Sequence, residues 1–137
     1  MSKFPSDLRY TKDHEWARID GNRAVVGITD FAVHQLGDIT MVELPKEGES
    51  FRREQVLGTV ESVKAVSDIY SPLSGKVVKT NDPLRDQPEL LNEDCYDEGW
   101  MVELELSNLD ELKQMMTSEE YAKYVKKKKK KNHGACG

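Results

Sequence analysis

Between Glu15 and Thr80 the chain is a succession of short β-prone runs, each cut off by a turn signal. Runs this short cannot bury a face alone. They must pair and stack, so the pattern predicts an all-β sandwich or barrel. Glu15–Asp20 leads into Asp20-Gly21-Asn22, where glycine tolerates the positive φ of a tight hairpin, and Arg23–Thr29 returns. Thr29-Asp30 can cap one short helix, Phe31–Leu36, which Gly37 ends. Ile39–Leu44, Gln55–Glu61, Val66–Tyr70 and Gly75–Thr80 read as further strands, with turns at Pro45–Glu49, Ser62–Ala65 and Ser71–Gly75.

Beyond Thr80 the pattern changes. Asn81–Glu98 is polar, contains Pro83 and Pro88, and reads as a loop with one helical turn at Glu89–Asn92. Gly99–Leu106 alternates as a closing strand. Ser107 or Asn108 can then cap a helix over Asp110–Met116, with Leu109, Leu112 and Met116 on one side. Thr117-Ser118-Glu119-Glu120 has the form of a capping box and opens a second helix, about Ser118 to Lys127, whose apolar stripe is Tyr121, Tyr124 and Val125.

A chain of 137 residues fits one domain, long enough to bury roughly two-thirds of its unfolded surface. No apolar run is long enough to cross a membrane, and the polar start, Met1 to Tyr10, does not resemble a secretory leader. Charge is distributed unevenly. Residues 1–125 carry 14 Lys and Arg against 25 Asp and Glu, a balance of −11, whereas residues 126–137 carry +6 from the run Lys126–Lys131. An acidic body argues against nucleic acid as a partner, because phosphate contacts need clustered cations. The basic tail is expected to be solvated and disordered. Cys95 and Cys136 lie far apart and in no CxxC pattern, which excludes a disulfide framework and a zinc site and favours a reducing compartment.

The catalytic inventory is thin. His14, His34 and His133 form no HxxxH or HExxH spacing, and GxGxxG, GxxxxGK[ST] and GxSxG are all absent. Cys95 is expected to be a partly exposed structural residue. No catalytic residue and no metal site is expected. One local feature stands apart: Glu61-Ser62-Val63-Lys64-Ala65, placed where a hairpin should turn. Lys64 is either an ordinary surface lysine, one of 14 in the chain, or an attachment point for a covalently carried group. A modifying ligase needs its lysine on an exposed tight turn with small neighbours, and Ser62 and Ala65 satisfy that.

Val60 to Gly75, VESVKAVSDIYSPLSG, resembles the lipoyl-lysine segment of the glycine cleavage system H-proteins. YTKDHEW, VGITDFA, LGDITMVELP, PELLNED, GW and EEYAKYV follow the same family in the same order, so the resemblance covers about residues 8–125. It implies a mainly β, barrel-sandwich hybrid lipoyl-carrier fold with short C-terminal helices. Residues 1–125 would form a single domain, with a central lipoyl hairpin unit at about 36–106 and C-terminal helices at about 108–125, followed by the basic tail 126–137. It also implies lipoic acid in amide linkage to Lys64, with Glu61 and Gly75 read by the lipoylating enzyme. Gly75 also has a physical rationale, a turn that only glycine fits easily. A biotin carrier would show Met-Lys-Met, and Val63-Lys64-Ala65 lacks both methionines.

The function implied is that of a non-catalytic carrier. It would take the aminomethyl group of glycine from a glycine decarboxylase (P-protein) to an aminomethyltransferase (T-protein). The reduced arm would then go to a dihydrolipoyl dehydrogenase (L-protein), and a lipoate ligase or lipoyltransferase would supply the arm. The loaded arm carries an amine that is protonated near neutral pH, and the family docks it in a cleft on the carrier. Glu15 and Asp68 are the candidate cleft carboxylates. Asp13 stands where small polar residues such as Ser are common and ranks below them, and His14 is assigned a structural role. Two features depart from the family: Cys95, where proline is common, and the lysine tail. A monomer is expected, in the bacterial cytoplasm or alternatively the mitochondrial matrix. The rival readings are an H-like relay that hands lipoate to other complexes and an unmodified β-scaffold interaction module.

Overall fold

A computed structural model describes residues 4–126. The expectations for residues 127–137, including most of the lysine run, His133 and Cys136, lie outside the described residues. The fold is mainly β, with two antiparallel sheets and a few short helices. The strands are β1 Arg9–Tyr10, β2 Glu15–Asp20, β3 Arg23–Ile28, β4 Ile39–Glu43, β5 Ser50–Phe51, β6 Val56–Ser62, β7 Val66–Tyr70, β8 Gly75–Thr80 and β9 Val102–Leu106. Six of them form a sheet in the order β1-β2-β3-β9-β8-β5, and β4-β6-β7 form a second.

Local chemistry explains the register. Asp20 pairs directly with Arg23, so Gly21-Asn22 is a two-residue turn, and Gly21 takes φ 62°. Helix α1, Asp30–Leu36, opens where the Thr29 hydroxyl accepts from Ala32 N and closes at Gly37, whose φ is 82°. Its buried face is Phe31, Val33 and Leu36. The inward residues of both sheets, among them Val26, Val42, Val60, Ile69, Val77 and Leu104, fill the main core.

A second core lies under the C-terminus. Leu8, Tyr10, Trp16, Phe31, Tyr121 and Val125 pack there. Trp16 sits directly opposite Gly27, where a Cβ would fall 2.6 Å from the indole, so glycine makes room for the ring. The capping box forms as expected. The Thr117 hydroxyl accepts from Glu120 N at 3.3 Å, and the Glu120 carboxylate accepts from Thr117 N at 2.9 Å. The helix it opens is described over residues 118–126. Tyr121 stacks on Tyr10 with centroids 4.7 Å apart, and its hydroxyl lies 2.7 Å from Thr29 Oγ1 and 2.8 Å from His14 Nδ1. Tyr121→Phe keeps the stack but takes the phenol hydroxyl away from the buried Thr29 and the half-buried His14. A urea melt should show a loss of about 1–3 kcal/mol.

Four local expectations need correction. The helix expected at Asp110–Met116 is a 3₁₀ helix, Leu109–Gln114, capped by the Asn108 side chain. Its three-residue turn carries Leu112 and Met115 inward, and Leu109 is left 50% exposed. The segment Asn81–Glu98 is more ordered than a loop: it forms two single-turn helices, α2 Pro83–Asp86 and α3 Leu90–Glu93, that bury Leu84 and Leu91. The strand expected from Gly99 starts at Val102, because the Asn81 side chain donates to Glu98 O and Trp100 O and holds that stretch as a turn. Cys95 is buried, not partly exposed, and its carbonyl accepts from Trp16 Nε1 at 3.1 Å. Burial pushes its thiol up to about 12, which leaves it inert as a nucleophile. Among the described residues no helix is long and apolar enough to cross a membrane.

Candidate functional site

Strands β6 and β7 form a hairpin whose tip is Val63-Lys64-Ala65. Ser62 organises it. Its backbone N donates to Ala65 O at 2.8 Å, and its hydroxyl oxygen accepts from Lys64 N at 3.3 Å and Ala65 N at 3.1 Å. This serine turn fixes the backbone and leaves the Lys64 side chain exposed. A second brace comes from the link between α1 and β4, where Asp38 O accepts from Val63 N at 3.2 Å. Asn92 secures that link in turn: its side chain donates to Gly37 O and accepts from Ile39 N, each at 2.9 Å. Lysine's stem passes over Gly37, where a Cβ would stand 3.5 Å from Lys64 Cε.

Glu61 lies beside the tip on the central strand of the small sheet. It pairs with Met41 on one side and Val66 on the other, so the three side chains share the outer face. Met41 is 48% exposed and Val66 66%. The next row on that face is Glu43, Thr59 and Asp68.

Gly75 lies at the opposite end of β7 from Lys64, past the Ser71–Ser74 turn, and opens β8 in the other sheet. The turn rationale for it does not hold, because its φ is not positive. Glycine is needed here for a different reason: a Cβ would fall 2.5 Å from Glu105 O on the neighbouring strand. Gly75→Ala should therefore cost about 1–3 kcal/mol in a denaturant melt, whatever it does to lipoylation.

At that same far end, a cavity of about 300 Å³ opens between the sheets. Thr11, Asp13, Glu15, Arg53, Tyr70 and Met116 are among the residues that line it. Glu15 is the buried charge there, 1% exposed. The Thr11 hydroxyl donates to Glu15 Oε1 at 2.6 Å, and Tyr70 N donates to Oε2 at 3.2 Å. Glu15 on β2 thus ties the large sheet to the end of β7. Burial raises its carboxyl from 4.5 to about 7, against the lowering effect of the two hydrogen bonds. Asp13 at the rim adds to the rise.

Asp68 is exposed and does not line the cavity. It sits partway along the outer face of β7, between Val66 at the tip and Tyr70 at the cavity. From Val66 to Tyr70 is about 13 Å at ~3.3 Å per residue, within the span of an extended lysine bearing an octanoyl-length chain. The fold thus brings Lys64 and Glu61 together at one end of the hairpin, places Glu15 at the other, and sets Asp68 between them. Sequence reasoning missed Thr11, Asn92 and the structural use of Ser62. Only Ser62 carried a signal, as a hydroxyl two residues before the lysine, the spacing of a serine turn. Among the described residues no cluster could hold a metal ion.

Residues 8–128 match the family model described as glycine cleavage H-protein. The glycine cleavage system H protein of Anaeromyxobacter sp. (strain K) is 51% identical over 123 residues, 90% of this chain and 96% of that protein. The protein of the same name from Carboxydothermus hydrogenoformans is 48% identical over 125 residues, 91% of this chain and 96% of the relative. A crystal structure of a glycine cleavage system H protein from Mycobacterium marinum superposes with a TM-score of 0.77 at 37% identity, covering 87% of this chain and 96% of that one.

Proposed function

This chain belongs to the glycine cleavage H-protein family, whose members are lipoyl carriers of the glycine cleavage system, and on that footing we propose that it bears lipoic acid on Lys64. The observation that carries the reading is the exposed Lys64 at a tip whose backbone is fixed by Ser62 and Asp38. An attaching enzyme meets one lysine in one geometry and loses little entropy ordering it. Residues 1–125 act as the single carrier domain and 126–137 as a basic extension of it.

The lipoyl group, when attached, supplies the disulfide and thiol chemistry that accepts and returns an aminomethyl cargo. The chain's own residues hold the cargo and exclude water. An ammonium entering the cavity meets Glu15, held in place by Thr11 and Tyr70 N, with Asp13 at the rim. An ion pair in so enclosed a site is screened far less than one in water. Asp68 steers the cationic end along β7. The partners are a glycine decarboxylase that loads the cargo, an aminomethyltransferase that removes it and a dihydrolipoyl dehydrogenase that reoxidises the arm. Tethering at Lys64 keeps the arm at high effective concentration in each.

Glu61 acts in recognition by the lipoate ligase or lipoyltransferase, because it adjoins the tip on the exposed face. Gly75 acts through the shape of the β8–β9 pairing. Lipoylation rates separate the two: Glu61→Ala should slow the reaction with stability unchanged, and Gly75→Ala should slow it only as far as it unfolds the protein. The function as a whole is tested by incubating lipoylated protein with glycine and a glycine decarboxylase. Intact-mass spectrometry should show one aminomethyl gain, and its absence under turnover conditions would exclude the glycine cleavage role.

A further inference from the structure

The wall of the cavity opposite β7 comes from the C-terminal segment, Gln114 to Met116. Two anchors hold it. At one end Met116 and Tyr10 exchange backbone hydrogen bonds of 2.8 and 2.9 Å. At the other, Glu111 on the 3₁₀ helix accepts from Ser74 N at 2.6 Å and from the Ser74 hydroxyl at 2.7 Å. Ser74 Oγ accepts from Arg53 N at 2.9 Å as well. Arg53 and its neighbour Glu54, held at φ 75°, are lining residues of the facing wall, as are Ser71 and Pro72. One carboxylate therefore joins both walls through a single serine. Its two bonds are short and charge-assisted, the strong class of hydrogen bond.

We propose that Glu111 is a positioning residue for the docked arm, setting the width of the Glu15 cavity by clamping the C-terminal wall to the Arg53–Ser74 wall. This rests on the reading that the loaded arm docks beside Glu15. Without the clamp, the 3₁₀ segment keeps its Tyr10 anchor and the inward packing of Leu112 and Met115 but loses its tie to the Arg53–Ser74 wall, so the walls part and water reaches Glu15. A wetter cavity solvates the Glu15 carboxylate and lets water reach the cargo. Hydrolysis then adds one water to the protonated aminomethyl thioether, cleaves its carbon–sulfur and carbon–nitrogen bonds, and yields free thiol, formaldehyde and ammonium.

The test uses Glu111→Ala, with Ser74→Ala as a milder variant that removes the hydroxyl bonds and keeps the Ser74 N–H. In the unlipoylated protein, the Glu15 titration midpoint read by NMR should fall from near 7 toward 4.5. In protein lipoylated at Lys64, reduced and loaded from formaldehyde and ammonium chloride, the aminomethyl lifetime should shorten by roughly threefold to tenfold. The lipoylation rate at Lys64 should stay at the wild-type value, a result general unfolding would not allow. If Glu111→Ala fails to fold, Ser74→Ala decides, with smaller shifts in the same directions. Failure of either the midpoint or the lifetime to move overturns the inference. Glu15→Gln locates such a failure: if it shortens the lifetime and the clamp variants do not, only the clamp is wrong. If it leaves the lifetime unchanged, the docking reading falls and the clamp's role with it.

Discussion

Lys64→Arg is expected to abolish lipoylation outright. After co-expression with a lipoate ligase, the wild-type protein should gain one lipoyl mass and the variant none. Amide formation needs an amine that can lose a proton and attack an activated acyl carbon. Lysine's ammonium can do so, whereas arginine's guanidinium stays protonated at any working pH. The substitution keeps the positive charge and most of the stem. It also leaves the tip intact, because the bonds that shape it run between Ser62, Ala65 and Asp38 and the backbone. Since Lys64 is exposed, stability should change by no more than about 0.5 kcal/mol. The remaining lysines of the chain serve as internal controls in the same spectrum. A lipoyl gain that survives in Lys64→Arg would move the attachment site elsewhere. No gain in the wild type would leave an unmodified β scaffold.

The parts of the fold that were legible are those with local causes. Gly21, Thr29, Gly37 and the Thr117–Glu120 box each act within three or four residues of themselves, and each sits where the sequence places it. The turn at Lys64 was legible for the same reason. The errors arose where distant contacts override local pattern. Polarity and two prolines made Asn81–Glu98 read as a loop, but Leu84, Leu91 and Cys95 are drawn into the core and wind it into short helices. An α-helical period places Leu109 on the same side as Leu112 and Met116, but the segment winds as 3₁₀.

The candidate site divides along the same line. Glu61 and Lys64 are neighbours in sequence and adjoin in space. Glu15 and Tyr70 are 55 residues apart, and only the stacking of the two sheets brings them into contact. Nothing in the strand pattern around Glu15 signals that it is buried. Resemblance to the family singled out the residue, and the contact with Tyr70 N supplies a physical reason. Gly75 shows the converse: glycine is required there by a close approach across β8 and β9 that no turn pattern encodes.

Glu15 should make the protein pH-dependent in two opposite ways. Its carboxyl titrates near 4.5 unfolded and near 7 folded. Below pH 4.5 both states are protonated and the group favours neither. Between 4.5 and 7 the unfolded chain has released a proton that the folded chain still binds, so stability falls as pH rises. Above 7 the folded chain carries the full cost of a buried carboxylate, on the order of 3 kcal/mol at ~1.4 kcal/mol per pH unit. Glu15→Gln removes this slope, and urea melts from pH 4 to 8 should show the wild-type decline flattened in the variant. A docked ammonium reverses the preference, because it pairs with the ionised carboxylate and lowers its midpoint. Retention of the loaded arm should therefore strengthen with pH up to about 7 and then level off. The aminomethyl lifetime should follow that curve in the wild type and lose it in Glu15→Gln, with a loss of roughly tenfold or more at pH 8 for one buried charge-assisted pair. A lifetime that ignores both pH and the substitution would mean that the arm is sheltered elsewhere. A stability slope without a matching lifetime slope would make Glu15 a tie between the sheets and nothing more.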